Sequence, residues 1–420
     1  MDNISDIKKD MKSYIYDCEI SYNPSDKNES IELRREFVKY ILVSSDYLNT
    51  IMPVIYIKIA LSHEIYKQMI YDQGGKGKIY LNIYKHNDDT NQISTISNAS
   101  IYGEFDYYMA DDPEYDKKLI IKNEEKNNIS FRQCILGLTK LEYQQINRNV
   151  KFEGIYKNTT TMSLIKMATS KIPKIVIQPF EKNLQFGTFV CPPIPSIAQF
   201  IDYINRKASF YKGQVMYFMD FDKTYLRSCD GEYIDTKDGD DIQQIIFRSI
   251  PIDDDINLLQ RIKKDPDNKS YIIYVAGSEI NITLNRASSS LINNIDSINT
   301  KNGSTLNSKL NTENITNADP KIGGNLTVVS SDINGAQNIT EILSESTVSL
   351  SVSKVGVDSL IFKPNKEYVL DNYDKNPIYN GRYYLVKKDE LYMRTGSNIV
   401  YQVAITLNKC SSSISSPNVK

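Results

Sequence analysis

The histidines and nucleophile motifs that could carry out acid–base or metal chemistry are few in this sequence. The 420 residues include only two histidines, His63 and His86, and neither lies near a Gly-x-Ser-x-Gly motif that would present a nucleophilic serine. The sequence also contains no His-Glu-x-x-His zinc helix and no Gly-x-x-x-x-Gly-Lys-Ser phosphate loop. We interpret both histidines as surface or hydrogen-bonded residues, and we expect no cofactor and no metal site.

Two acidic clusters have the residue types of a paired-carboxylate site or a calcium site. Asp220 and Asp222 would project from the same side of a strand, and 238–241 reads Asp-Gly-Asp-Asp. Paired carboxylates can serve glycoside hydrolysis. The distal Glu of a calcium loop is missing, so we interpret 238–241 as a solvated turn. We interpret Asp220 and Asp222 as structural or interface residues, with a carboxylate-pair hydrolase as the alternative.

Charge and hydropathy argue against two classes of partner. Lys and Arg number 50 against 52 Asp and Glu, without a basic block, so we expect no stable nucleic-acid binding. No uncharged apolar run approaches the ~20 residues of a membrane helix, so we expect no membrane insertion. The polar start of the chain predicts no signal peptide. Scattered cysteines indicate reduced thiols made in a cytoplasm, at Cys18, Cys134, Cys191, Cys229 and Cys410.

Alternating apolar residues predict that the chain begins with a β-unit. Two segments, 54–61 and 78–85, alternate apolar residues with polar or aromatic residues, which is typical of half-buried antiparallel strands. Tyr80 and Tyr84 fall on the outward face of the second strand. Because an outward face that meets only water usually carries charges, we expect Tyr80 and Tyr84 to lie in an interface between subunits.

The middle of the chain has a mixed pattern. Ser196 begins a Ser-Ile-Ala-Gln capping box, and apolar residues then recur at i, i+3, i+4 and i+7 of a helix. A second helix is predicted over 162–168. The nearly continuous apolar run 215–226 predicts one strand buried on both faces, with Phe218 and Phe221 on opposite sides.

The last part returns to β-structure around a polar insertion. Strands are predicted over 242–250 and 271–283, and a final strand over 399–407 follows a turn at 394–398. The segment 285–338 is rich in Ser, Asn and Thr, so we expect an insertion outside both cores. The predicted chain is α+β, mainly β, with a first β-domain (1–115), an α+β middle domain (116–235), a second β-domain (236–411) carrying the insertion, and a disordered tail (412–420).

Several short segments, in their order, resemble one family. Residues 47–57 contain an Asn-x-x-Met-Pro-hydrophobic opening strand, and Ile194-Pro195 leads into the capped helix. They are followed by 211–226, by Pro-Asn-Lys at 364–366 and by Asn-Gly-Arg-Tyr at 380–383 before the closing strands. Together these segments resemble the baseplate hub proteins of contractile-tailed bacteriophages. The insertion has no counterpart in this resemblance.

The resemblance implies a structural protein and not an enzyme. Two tail-tube-like β-barrel or sandwich domains would flank the α+β domain, and a homotrimeric ring would adapt a sixfold tail tube to a threefold central spike around a DNA channel. The implied partners are the tail tube protein, the spike protein and baseplate wedge or tape-measure proteins, in a virion assembled in the host cytoplasm. Tyr80, Tyr84, Asp220 and Asp222 are the expected interface residues. The alternatives are a tail-tip cell-wall hydrolase and a peripheral receptor-binding tail protein.

Overall fold

The computed structural model describes most of the chain between residues 15 and 410. The described residues are 15–25, 30–72, 77–86, 99–111, 131–148, 151–211, 215–221, 223–229, 242–250, 262–276, 280–285, 347–355, 361–371, 379–396 and 398–410. Fifteen of their strands join in one sheet and five form two small sheets, with four short helices between them. These elements confirm the predicted α+β, mainly β class.

The elements are numbered in chain order. The strands are β1 (Ile15–Asn23), β2 (Ile31–Glu32), β3 (Val38–Asp46), β4 (Val54–Ser62), β5 (Lys78–His86), β6 (Ala99–Asp111), β7 (Phe131–Thr139), β8 (Phe152–Thr160), β9 (Ile175–Ile177), β10 (Gln185–Ile194), β11 (Val215–Asp220), β12 (Lys223–Ser228), β13 (Gln244–Ile250), β14 (Ile262–Asp265), β15 (Ser270–Ala276), β16 (Ile280–Asn285), β17 (Thr347–Val355), β18 (Glu367–Asp371), β19 (Gly381–Thr395) and β20 (Asn398–Lys409). The helices are α1 (His63–Lys67, continued by a π-helix Gln68–Asp72), α2 (Leu141–Arg148), α3 (Thr161–Ala168) and α4 (Ile197–Ala208).

Strands from both ends of the chain form a closed eight-stranded barrel. Its order is β19-β3-β4-β7-β6-β5-β1-β20, and pairing of β19 with β20 closes the circle. The predicted strand over 54–61 is confirmed as β4, whose alternate residues face a core that excludes water. At the seam, β1 meets β20 through one register pair, Tyr16 with Ile399. The ring of Tyr16 also contacts those of Tyr392 and Tyr401, with centroids 5.5 and 5.4 Å away.

The α+β middle part has a core of its own. Helix α4 begins as predicted, because the Ser196 hydroxyl accepts a hydrogen bond from the Gln199 amide at 3.2 Å. Its apolar stripe is buried, and the Phe200 ring stacks on that of Phe152 at 4.1 Å. The predicted helix over 162–168 is confirmed as α3. Two small sheets, β8–β10 and β11-β12-β9, cover these helices.

The prediction of one strand over 215–226 is wrong. The segment is a hairpin of β11 and β12, and Asp220 pairs with Lys223 across its turn. Phe221 lies in the turn with φ +46°, so it does not face away from Phe218 across a strand. The prediction failed because the aromatic Phe221 occupies the left-handed turn position that Gly or Asn usually takes.

The second β-unit is an open set of eight strands that shares the hairpin of the first. Its order is β14-β15-β13-β18-β19-β20-β17-β16, with β13 parallel to both β15 and β18. The single strand predicted over 271–283 is in fact two, β15 and β16, which pair with different neighbours. The insertion predicted over 285–338 and the tail lie outside the described residues.

Strand pairing crosses the predicted domain boundaries at two places. Strand β7 belongs to the barrel through β4 and β6, although the sequence placed it in the middle domain. The β19–β20 hairpin belongs to both β-units. Strand β3 pairs with 387–393 of β19, whereas β18 pairs with 381–383 of β19 and β17 pairs with 402–408 of β20. Periodicity identifies a strand but contains no information on which distant strand it pairs with, so these placements could not be read from the sequence.

Candidate functional site

An aromatic and acidic patch covers part of the outer face of the barrel. Tyr80 on β5 and Tyr102 on β6 meet edge to face, with ring centroids 5.6 Å apart and an interplanar angle of 88°. The side chain of Tyr102 is 44 % exposed. Burial, and then the hydrogen bond and charge of Tyr102, raise the pKa of Tyr80 to about 12, so the phenol of Tyr80 is neutral at pH 7. The pair forms a rigid, amphipathic surface of the type enriched in protein interfaces.

Two carboxylates flank this tyrosine pair and are held by amides. Glu19 accepts a hydrogen bond from Asn82 at 3.1 Å, and Glu104 accepts one from Asn23 at 2.9 Å. Both acids are exposed, and Glu104 is the register partner of Tyr80. We call Tyr80, Tyr102, Glu19 and Glu104 the tyrosine–acid patch. Because the amides fix their orientation, the two charges are presented to a partner with little further ordering.

Tyr84, the other predicted interface tyrosine, is not available to a partner. Its side chain is 5 % exposed, and its hydroxyl lies within the electrostatic reach of Asp17 and Arg35, which form an ion pair. Burial is the main cause of its raised pKa. The expectation that Tyr84 presents an open surface is therefore corrected. Its outward position in the strand was right, but Arg35 comes from a separate turn that periodicity does not show.

Asp220 lies where the two β-units and the middle part meet. It ends β11, is half-buried, and raises the pKa of Lys388 and of the buried phenol of Tyr47. Burial is the largest cause of the raised pKa of Tyr47, and Asp220 is the second. Asp222 lies outside the described residues. The carboxylate of Asp220 thus lies within electrostatic reach of the buried Lys388 and Tyr47.

A buried ion pair lies at the centre of this junction. Lys388 Nζ and Glu390 Oε2 are 3.1 Å apart, and Tyr401 donates a hydrogen bond to Glu390 at 2.9 Å. Lys388 also donates to the Phe362 carbonyl at 3.2 Å. Burial lowers the pKa of Lys388, but Glu390 and Asp220 more than offset this, so the pKa is raised. Burial raises the pKa of Glu390 despite its cationic partner.

A second buried cation fixes the middle part to the second β-unit. The Arg227 guanidinium on β12 donates to the Pro364 carbonyl at 2.9 Å and to the Ser228 carbonyl at 3.2 Å. Burial lowers its pKa. Since a buried charge is tolerated only with such partners, Arg227 and Lys388 both hold the 361–366 segment in place. The sequence did not reveal this junction, because Lys388 lies in the charged run 387–390, which is typical of a solvated part of a strand.

An apolar pair on the β8–β10 ribbon is a second exposed surface that the sequence did not predict. Ile155 and Val190 are direct cross-strand partners and are 65 % and 61 % exposed. Phe189 and Tyr156, on the opposite face of the ribbon, cover the middle core. The signal in the sequence is weak, because β8 (Phe-Glu-Gly-Ile-Tyr-Lys-Asn-Thr-Thr) has no clear alternation. Exposed apolar pairs of this kind mark contact surfaces more often than isolated ones.

The residues that were weighed for chemistry do not converge in the described part of the chain. His63 is an exposed residue at the start of α1, and His86 ends β5. Where side chains are described, no three His, Cys, Asp or Glu residues form a group that could hold a metal ion. All five cysteines are buried, and burial raises the pKa of Cys18 to about 12 and of Cys191 to about 11. These two thiols are therefore protonated and unreactive at neutral pH.

The helices of the described residues are too short or too polar to span a bilayer.

No protein-family model matches the sequence, and no curated protein matches it. Similar solved structures include a tail protein from Neisseria meningitidis MC58, 10 % identical, with a TM-score of 0.46 over 94 % of this chain and 97 % of that one. The 43 kDa tail protein of prophage MuSo2 from Shewanella oneidensis is 8 % identical, with a TM-score of 0.44 over 92 % of this chain and 96 % of that one.

A third similar structure is an Escherichia coli component of the type VI secretion system, described as structurally similar to the bacteriophage T4 tail proteins gp27 and gp5. It is 9 % identical, with a TM-score of 0.46, and the match covers 90 % of this chain and 74 % of that one. These three similar structures are tail and secretion-system proteins. With identities of 10 % or less and TM-scores below 0.5, they assign no family to this chain.

Proposed function

We propose that this chain is the structural hub of a phage-tail baseplate. Three copies form a ring that adapts a sixfold tail tube to a threefold central spike and leaves a channel for DNA. The ring contacts the tail tube protein, the spike protein and the wedge or tape-measure proteins, within a virion assembled in the host cytoplasm. The sequence segments that resemble hub proteins, from 47–57 to 380–383, support this proposal.

One structural observation carries the proposal: two eight-stranded β-units share a single hairpin. Strands β19 and β20 belong to both β-units, so the two units cannot rotate freely about a linker. A chain with two β-units in fixed relation presents six such units when three copies close into a ring. Closed cyclic symmetry is the ordinary arrangement of soluble homo-oligomers. A ring of three chains with six β-units would match a sixfold partner on one side and a threefold partner on the other.

The buried junction supports a structural role over catalysis. Lys388, Glu390 and Arg227 fix the three parts of the chain together. A buried ion pair adds little net stability, whereas removal of one partner is costly, so the junction favours the one arrangement in which its charges are paired. A hub that transmits force between tube and spike requires a single arrangement of its parts.

The mass of the native assembly in solution tests the proposal. Light scattering after size exclusion should give about 144 kDa, three times the 48.1 kDa of one chain, and negative-stain images should show threefold rings. Only monomer at micromolar concentration, with and without the spike protein, would contradict it. A cell-wall zymogram in parallel should show no clearing, since clearing would favour the hydrolase.

A further inference from the structure

The outer face of the β8–β10 ribbon combines apolar and basic side chains. Lys157 lies two residues from Ile155 on the same face of β8, opposite Thr188 of β10. Lys157 is exposed, as are Ile155 and Val190. Glu153 is the one acid on this face of β8, and exposed Lys151 lies two residues before it. We call Ile155, Lys157 and Val190 the ribbon face.

The part of the chain that carries the ribbon face is positively charged. Residues 151–211 contain eight Lys and Arg against three Asp and Glu, a net charge of +5, whereas the whole chain has a net charge of −2. Six of the eight cations are exposed lysines, at Lys151, Lys157, Lys166, Lys171, Lys174 and Lys182. The ribbon face is therefore an apolar strip within a positive field.

The tyrosine–acid patch has the opposite character. Glu19 and Glu104 flank its aromatic pair. The basic residue of β5 beside it, Lys78, is the register partner of Asp106, so it does not reverse the sign of the patch. Aromatic faces attract cations as well as apolar groups. The patch thus offers both kinds of contact that an apolar and basic strip requires.

The ribbon is also an incomplete sheet. Among the described residues, β8 pairs only with β10 and no third strand extends either edge. A Cβ added at Gly154 or Gly187 would meet nothing within 4 Å. Another surface can therefore approach this backbone closely. Open edges and exposed apolar side chains on the same ribbon are features that proteins usually cover in the assembled state.

We propose that the ribbon face of one copy binds the tyrosine–acid patch of the next copy. The two complementary surfaces lie on different parts of one chain, the middle part and the barrel, so their contact is head-to-tail. Head-to-tail contacts of identical chains close into rings when the rotation permits. The inference rests on the proposed ring and names the surfaces that build it. Charge complementarity identifies the occupant as a second copy of this chain.

Charge reversal on each side, alone and together, tests this contact. Glu104→Lys or Lys157→Glu places like charges opposite each other, and each should raise the concentration at which the trimer dissociates by roughly tenfold or more. The double variant Glu104→Lys/Lys157→Glu exchanges the charges and should restore most of the loss. Matched controls are Glu64→Lys on α1 and Lys39→Glu on β3, both exposed and outside the two surfaces, which should leave dissociation within about threefold of the wild type. Sedimentation velocity over a dilution series measures the wild type and all five variants, and circular dichroism verifies their folding.

The possible outcomes separate the proposed contact from the proposed hub function. If the wild type is a trimer and both single variants dissociate like the controls, the surfaces are wrong and the hub proposal stands. If both singles weaken the trimer but the double variant does not recover, the two residues do not face each other and the inference fails. If the wild type is a monomer with and without the spike protein, the inference and the proposed function fail together. Folded single variants with rescue by the double variant would support the contact.

Discussion

Removing the long connection between β16 and β17 should stabilise the protein. Asn285 and Thr347 are register partners in an antiparallel pair, which places their Cα atoms about 4.5–5.5 Å apart. The 61 residues from 286 to 346 connect these two positions, and they include nearly all of the insertion predicted over 285–338. A four-residue Gly/Asn turn spans the same gap, because antiparallel strands are readily joined by two to five residues.

The expected gain follows from loop closure. The cost of joining the ends of a flexible loop rises as (3/2)RT ln n, so shortening it from 61 to 4 residues should raise the free energy of unfolding by about 2 kcal/mol. For a chain of this size that is an increase in Tm of roughly 2–5 °C. The sequence contains no Trp, so far-UV circular dichroism or tyrosine fluorescence is the appropriate probe of thermal unfolding.

A scrambled insertion is the matched control. A variant that keeps the length and composition of 286–346 but permutes the order should unfold at the wild-type temperature. A drop in Tm of 5 °C or more in the shortened variant would show that the segment packs on a core. A lower Tm in the scrambled variant would show that its order matters. Either result would refute the reasoning from composition and register.

Three further predictions concern the junction and the hairpin beside it. Phe218→Ala should lower the free energy of unfolding by ~3–5 kcal/mol, because this ring is fully buried, whereas Phe221→Gly in the φ +46° turn should cost much less; urea titration separates them. Lys388→Met should cost ~3–5 kcal/mol at pH 7 by leaving Glu390 unpaired. Burial already raises the pKa of Glu390, so this carboxyl binds its proton more tightly in the folded variant than in the unfolded chain. The loss of stability relative to the wild type should therefore shrink from pH 7 to pH 5; a loss that is independent of pH would contradict this. Asp220→Asn should weaken folding or assembly without loss of any cell-wall clearing, and folded trimers that have lost a wild-type lytic activity would overturn the structural role.

Local structure was predictable where one pattern dominates. The capping box at Ser196 and the stripe that follows specify α4 without long-range information, and strict alternation specifies β4. The hairpin at Phe221 was missed because an aromatic residue, which is typical of strands, occupies its left-handed turn position. Position along the chain also misled the domain assignment, since β7 pairs back into the barrel across residues 112–130.

The candidate site was less predictable, because burial of an outward face depends on what covers it. Tyr80 and Tyr84 both face outward in the alternation of β5. The side chain of Tyr84 is nevertheless buried, with Arg35 among its neighbours, whereas that of Tyr80 is partly exposed. Lys388 and Glu390 fall on inward positions, opposite buried Ser45 and Val43. Only the three-dimensional contacts of the junction explain why charges are tolerated there.

The closure of the barrel by the two ends of the chain has a consequence for synthesis. Tyr16 must pair with Ile399, so strands β1 and β3 remain open edges until β19 and β20 have been made. From the end of β7 this requires 270 more residues to Lys409, or roughly 15–55 s at ribosomal rates of ~5–20 residues per second. During that interval the nascent chain exposes unpaired strand edges, which can pair with other chains. A prematurely terminated chain lacks the closing hairpin, so only completed chains can form the barrel.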